Sequence, residues 1–244
     1  MTILAIDTST QWCSVALVNP QGGVDTKPPF SLIRHENLGP ESSQHALDWV
    51  EALLGEADIF FKDLEAIAVG IGPGAFTGIR IGVGIGQGMA LGGDLPCLPI
   101  VCLDAIALEG INSLGLQTGD QVLVAVDARM SEAYWAMYQV QDNGLPERLG
   151  DIHLSTPDTI ELPASAFYLV GNAVTAYPEK MAQHQAQAIK IDVDAVPHAR
   201  SIARLGFDAL EKGLQVSAEE LQPIYIRDKV AQTIAERAET KDQA

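Results

Sequence analysis

The chain repeats itself, and that limits its fold more than any other feature. The segment "VLVAVDARMSEAYWAMYQV" can be laid over "ILAIDTSTQWCSVALV" with a shift of 120 residues. Ala5, Asp7 and Ala16 then fall on Ala125, Asp127 and Ala136. Further on, "FYLVGNA" echoes "AIAVGIG", with Val170 and Gly171 on Val69 and Gly70. Each copy begins with short apolar β-type runs joined by a turn. A duplicated β-β-β-α-β-α unit predicts an α/β fold of two similar lobes around a cleft, each lobe offering one hairpin turn to it. Asp7 and Asp127 would face each other there. In such folds paired turns hold the phosphates of a nucleotide through backbone N–H groups, and an aspartate handles the metal. The candidate cleft residues are Asp7, Thr8, Ser9, Gly72 and Gly74 from the first copy, and Asp127, Arg129, Gly171 and Asn172 from the second.

The elements follow from local pattern. A third β-type run lies near "FSLIR". In "SSQHALDWVEALLG", Ala46, Leu47, Val50, Leu53 and Leu54 share one helical face, and Gly55 is the expected stop. "LEAIAVG" reads as a strand buried on both faces. The first lobe is placed at 1–101 and the second at 102–228, with a helix at about 198–213 that can pack back on the first lobe. Residues 229–244 form a polar tail.

Residues 70–93 hold ten of the chain's 22 glycines. They do not form a membrane span, because Pro73, Arg80 and Asp94 break the apolar run. Nor do they match a phosphate loop: Ile79 stands where a P-loop needs lysine, and Thr77 and Met89 stand where a dinucleotide fingerprint needs its third glycine. A helix from Ala75 to Leu91 accommodates them, with Gly78, Gly82 and Gly86 on one ridge and Gly84, Gly88 and Gly92 on another. Each interior glycine costs a helix roughly 1 kcal/mol relative to alanine. Ridges of small residues offset that by letting another helix approach closely. Spacing alone leaves two possibilities, packing inside the monomer or against another subunit.

Acidic residues number 32 against 15 basic ones, a formal charge of −17. Such a chain repels phosphate backbones, so the isolated protein is expected not to bind nucleic acid at physiological salt. Cys13, Cys97 and Cys102 form no C-x-x-C pair and read as buried reduced thiols of a cytoplasmic protein. The five histidines have no metal-ligand spacing, and there is no G-x-S-x-G elbow. Asp7 can serve a catalytic or magnesium role, or simply hydrogen-bond its own turn.

"ILAIDTSTQWCSVALV", "GIGPGAFTGIRIGVGIGQGMALG", "AVDARMSEAYWAMY" and "QPIYIR" together resemble the TsaB family of bacterial tRNA threonylcarbamoyladenosine synthesis, from Met1 to about Arg227. The resemblance implies a two-lobed actin-like ATPase fold. It implies a non-catalytic scaffold for TsaD, the transferase acting on the adenosine beside the anticodon of tRNAs that read codons beginning with A. A third partner, the P-loop ATPase TsaE, is also implied. TsaB proteins are described as joining TsaD through first-lobe helices and as forming homodimers with the same surface; tRNA is contacted only indirectly. That points to an interface of Gly78, Arg80, Ile81, Gly82, Ile85, Gly86, Ala46, Trp49 and Val50, on an outward seam. TsaD relatives carry a metal-binding H-x-x-x-H where this chain has Cys102 and Ile106, and actin-like kinases have glycine after the turn aspartates where this chain has Thr8 and Ala128. No metal and no cofactor are therefore expected. The competing reading is an enzyme of the same fold, a sugar-type kinase or a metallopeptidase.

Overall fold

The computed structural model describes residues 1–22 and 28–227; the polar tail at 229–244 lies outside them. The first lobe is built from β1 (Ile3–Asp7), β2 (Trp12–Asn19), β3 (Phe30–Asn37), α1 (Ala46–Ala57), β4 (Ala66–Gly70), α2 (Phe76–Gly93) and β5 (Cys97–Ile100). After α3 (Cys102–Leu114) come β6 (Gln121–Asp127), β7 (Ala133–Val140), β8 (Pro146–Arg148), β9 (His153–Ser155), β10 (Phe167–Val170), α4 (Ala173–Ala176), α5 (Ala182–Gln187), β11 (Ile191–Asp192) and α6 (Ala199–Glu211).

The sheets run β3-β2-β1-β4-β5 and β8-β7-β6-β10-β11, with β9 paired to β7 outside that path. The first two junctions are antiparallel and the last two parallel in both sheets. One topology is therefore used twice, as in the duplicated actin-like fold. The layers follow from strand alternation. Leu4 and Ile6 of β1 pack under α1 and α2, while Ile3 and Ala5 pack on α6 through Ile202 and Ala203. In the second sheet, Val122 and Val124 pack on α3, and Leu123 and Ala125 on the α4–α5 side. α3 and α6 thus form a middle layer between the sheets. Glu109 of α3 accepts from the Arg200 guanidinium and the Ser201 hydroxyl of α6, so a carboxylate buried between lobes is fully paired.

The repeat is real in topology but slips in register. Ala5 pairs with Ala16 in the first hairpin; Ala125 pairs with Trp135 in the second. The second turn is one residue shorter. Since Ala5 faces the middle layer and so does Val124, the residue in Asp7's place is Val126, which also packs on the middle-layer side. Asp127 faces the opposite side. A one-residue slip exchanges the faces of a strand, so Asp7 and Asp127 are not the facing pair that the alignment predicts. Two smaller departures concern α1. It runs past Gly55 to Ala57 and ends with Asp58 in the left-handed region (φ 51°), and Leu47 is 53% exposed rather than on the buried face.

Candidate functional site

The first hairpin turn is sealed. Asp7, Thr8 and Ser9 are each 1% exposed. Asp7 Oδ1 accepts from the Ser9 N–H (3.1 Å) and hydroxyl (2.9 Å), closing the turn on itself. Thr8 Oγ1 donates to the Gly78 carbonyl (2.8 Å) and the Ala75 N–H donates to the Ser9 carbonyl (2.7 Å), docking the start of α2 onto the turn. The ridge of Gly78, Gly82 and Gly86 makes this approach possible. A Cβ on Gly78 would overlap the Thr8 carbonyl oxygen, one on Gly82 would lie 2.7 Å from Thr8 Oγ1, and one on Gly86 would lie 2.6 Å from Val69 Cγ2. Gly74 likewise sits against the Ser9 carbonyl, at 2.5 Å.

That placement corrects the predicted outward seam. Gly82 and Gly86 are buried, and Gly78 is half-buried, within the first lobe. Ala46 and Val50 are buried too, on the inner face of α1. The outward face of α2 instead carries Ile81, Gly84, Gly88 and Leu91, spaced as one helical stripe; Ile81 is 37% and Leu91 72% exposed, and a Cβ on either glycine would meet nothing. Arg80 is exposed with its guanidinium over the Phe76 ring at 3.3 Å. Ile85 and Trp49 are half-buried between α2 and α1.

The positions aligned with a metal-binding pair are core. Cys102 is fully buried and Ile106 is 4% exposed. Cys102 Sγ–H donates to Asp7 Oδ2 (3.3 Å) and Sγ accepts from the Gly72 N–H (3.1 Å). Burial, and then the Asp7 carboxylate, push the thiol well above its ordinary pKa, so it stays a thiol rather than a thiolate ligand. Burial also raises the Asp7 carboxyl, against the Ser9 hydrogen bonds. Among the described residues no three His, Cys, Asp or Glu side chains gather around one metal position, and no helix is long and apolar enough to cross a membrane.

The second turn is open and strained. Arg129, Met130 and Ser131 all adopt left-handed backbone (φ 64°, 55° and 60°). None is glycine, so each costs roughly 1–2 kcal/mol. Asp127 accepts from the Arg129 N–H (2.7 Å) and the Tyr177 hydroxyl (2.5 Å), and its own N–H donates to Asn172 Oδ1 (2.8 Å). Gly171 (φ 105°) passes so close to the Ala125 carbonyl that no Cβ fits. The Arg129 side chain is 79% exposed and forms an ion pair with Asp127. Sequence reasoning missed the residue that holds this turn. Arg227 donates to the Ala128 carbonyl (3.2 Å) and to Glu132 Oε2 (2.6 Å). Between the start of α2 and the second turn lies a cavity of about 240 Å³ lined by Pro73, Phe76, Arg80, Arg129, Tyr134 and Tyr225, with Ile224 and Arg227 along one side. "QPIYIR" carried the only sequence signal for that side, and nothing local in it names its partners.

Residues 36–235 match the family described as TsaD, tRNA N6-adenosine threonylcarbamoyltransferase. The chain is 34% identical to the Escherichia coli tRNA threonylcarbamoyladenosine biosynthesis protein TsaB, covering 95% of this chain and 96% of that protein. The Haemophilus influenzae protein of the same name is 30% identical, over 94% and 95% of the two chains. The solved structure of YeaZ from Pseudomonas aeruginosa superposes with a TM-score of 0.80 at 34% identity, over 92% of this chain and 99% of that one. With full-length likeness in sequence and in structure, the chain belongs to the TsaB family, within the wider TsaD-related family of actin-like fold.

Proposed function

We propose that the protein serves tRNA threonylcarbamoyladenosine biosynthesis as a non-catalytic scaffold, in the cytoplasm, holding a TsaD partner in its working state and acting with TsaE. The observation that carries this is the sealed first turn. A phosphate-gripping turn must offer N–H groups to solvent, and here α2 lies on it while Cys102 and Ile106 fill the neighbouring core. The competing enzyme reading needs an open phosphate turn or a metal set in this chain. The partner surface in this proposal is the stripe Ile81–Gly84–Gly88–Leu91, flanked on the same helix by Arg80. It is apolar, lacks bulk at its centre and is exposed. The same surface would serve a homodimer when TsaD is absent, and tRNA would be reached only through the partner.

The test is reconstitution. Threonylcarbamoyl transfer to tRNA is measured with the cognate TsaD and TsaE, with and without this chain, alongside calorimetric titration of ATP into the chain alone. Transfer that depends on this chain, and on Asp7→Ala nearly as well, supports the scaffold. Loss of turnover in Asp7→Ala while the complex still assembles, or tight ATP binding by the chain alone, would favour the enzyme reading.

A further inference from the structure

The segment after α6 belongs to neither copy of the repeat, yet it touches both lobes. It starts at Val216, whose N–H and C=O both bond Cys97 at the edge of β5 (2.9 Å each). It then crosses α2, where Leu221 is fully buried and its carbonyl accepts from Gln87 Nε2 (2.8 Å). Next the Ile224 N–H donates to the Ile71 carbonyl (3.0 Å), just past the end of β4. These three anchors are all on the first lobe.

Arg227 then reaches the second lobe. Its guanidinium bonds the Ala128 carbonyl and Glu132, and lies against Met130 Sδ. Four residues, Ile224 to Arg227, therefore connect the end of β4 to the β6–β7 turn. The turn that Arg227 grips is the strained one, with three consecutive left-handed residues. Strain of that kind persists only where the surroundings hold it, and Arg227 supplies a two-sided hold on it. Further ties between the lobes sit in the middle layer, at α3 and α6.

We propose that Leu221–Arg227 is an interlobe strap. The chain's own segment takes the place of a bridging ligand, fixes the separation of the lobes on the cleft side, and is clasped by Arg227. This is independent of the scaffold reading, since it concerns the isolated chain.

The native cysteines are all buried, so nitroxide labels can be placed selectively at Glu51→Cys in the first lobe and Glu147→Cys in the second, both exposed in the parent. Pulsed EPR then reads the lobe separation in the full chain, and hydrogen exchange reads the amides of Ala128 and Glu132. The parent should give one narrow distance. Arg227→Ala should add a longer, broader population and speed those amides roughly tenfold or more, as loss of a charge-assisted bond would. Arg227→Lys, which keeps charge but not the fork, should fall between. Faster exchange with an unchanged distance overturns the strap, because Arg227 then only staples its turn; no change in either overturns it as well. If thermal melting shows that Arg227→Ala does not fold, Arg227→Lys and Glu132→Gln decide: a broadened distance in either supports the strap, and a parent-like distance in both overturns it.

Discussion

α2 carries two rows of glycine, four residues apart along one helix, with opposite surroundings. In the row Gly78–Gly82–Gly86 a Cβ would meet the Thr8 backbone, the Thr8 hydroxyl and the Val69 side chain. In the row Gly84–Gly88–Gly92 it would meet nothing within 4 Å. Both rows carry the same intrinsic cost, roughly 1 kcal/mol per interior glycine. Only the first has that cost offset inside the monomer, by the close approach of the Asp7–Ser9 turn and of Leu221. Among the described residues the second has no such compensation, and in the proposed complex a partner helix supplies it. One helix thus splits the close-packing role between fold and assembly.

The sharpest way to break this contrast is bulk on the inward row. Gly82→Leu and Gly86→Leu should each cost roughly 3 kcal/mol or more through overpacking against filled space, lowering the urea midpoint until the variants are poorly folded. This reverses the expectation drawn from the family resemblance, in which both residues lay on an outer seam. Variants with parent-like midpoints would mean that α2 sits rotated from the position described.

Gly78→Ala sharpens the contrast with the smallest possible side chain. Alanine should gain roughly 1 kcal/mol of helix propensity. The added methyl, however, would overlap a backbone oxygen, which cannot swing away as a side chain can. A net loss of about 1–3 kcal/mol is expected, read by urea denaturation. A net gain would show that the Thr8 turn yields easily and that the seal is soft.

How much of this was legible beforehand depends on whether a pattern had a reference direction. The fourfold spacing of the glycines is plain in the sequence, but apolar residues surround α2: Ile79 and Val83 are buried, while Ile81 and Leu91 are exposed. A helix that is hydrophobic all round has no polar face to orient it, so the wrong row was turned outward. The same ambiguity displaced the repeat by one residue. β1 is buried at every position and so are most residues of β6, and such strands lack the alternation that fixes register. Order and type of elements survived, because turns and caps mark them locally, as did the role of Asp7 in its own turn. The strap could not be read at all: Arg227 and Glu132 are 95 residues apart, and no local rule connects them.

On the outward row the same kind of bulk should act on assembly instead. Gly84→Leu is expected to leave the thermal midpoint near the parent's while weakening association with TsaD, and with a second copy, by about 1–3 kcal/mol or roughly 5- to 150-fold. Sedimentation with and without the partner measures it. Parent-like association by a folded Gly84→Leu would remove this stripe from the interface.

The smallest effect expected is also the cleanest comparison. Gly84→Ala and Gly88→Ala place a methyl in open space and remove the backbone freedom that glycine has in the unfolded chain. Each should therefore stabilise the isolated monomer by about 0.5–1 kcal/mol, opposite in sign to Gly78→Ala on the same helix. Because propensity is common to all three sites, the difference in sign isolates what the neighbours contribute. If the stripe meets another helix closely, the same two alanines should weaken association even as they strengthen the monomer, and the double variant should show both effects at once. Urea titration of the monomer, followed by sedimentation with the partner, separates the two. A stabilised monomer whose association is unchanged would mean that the outer row is open in the complex as well, and its glycines would then have no packing role in this chain or in its assemblies.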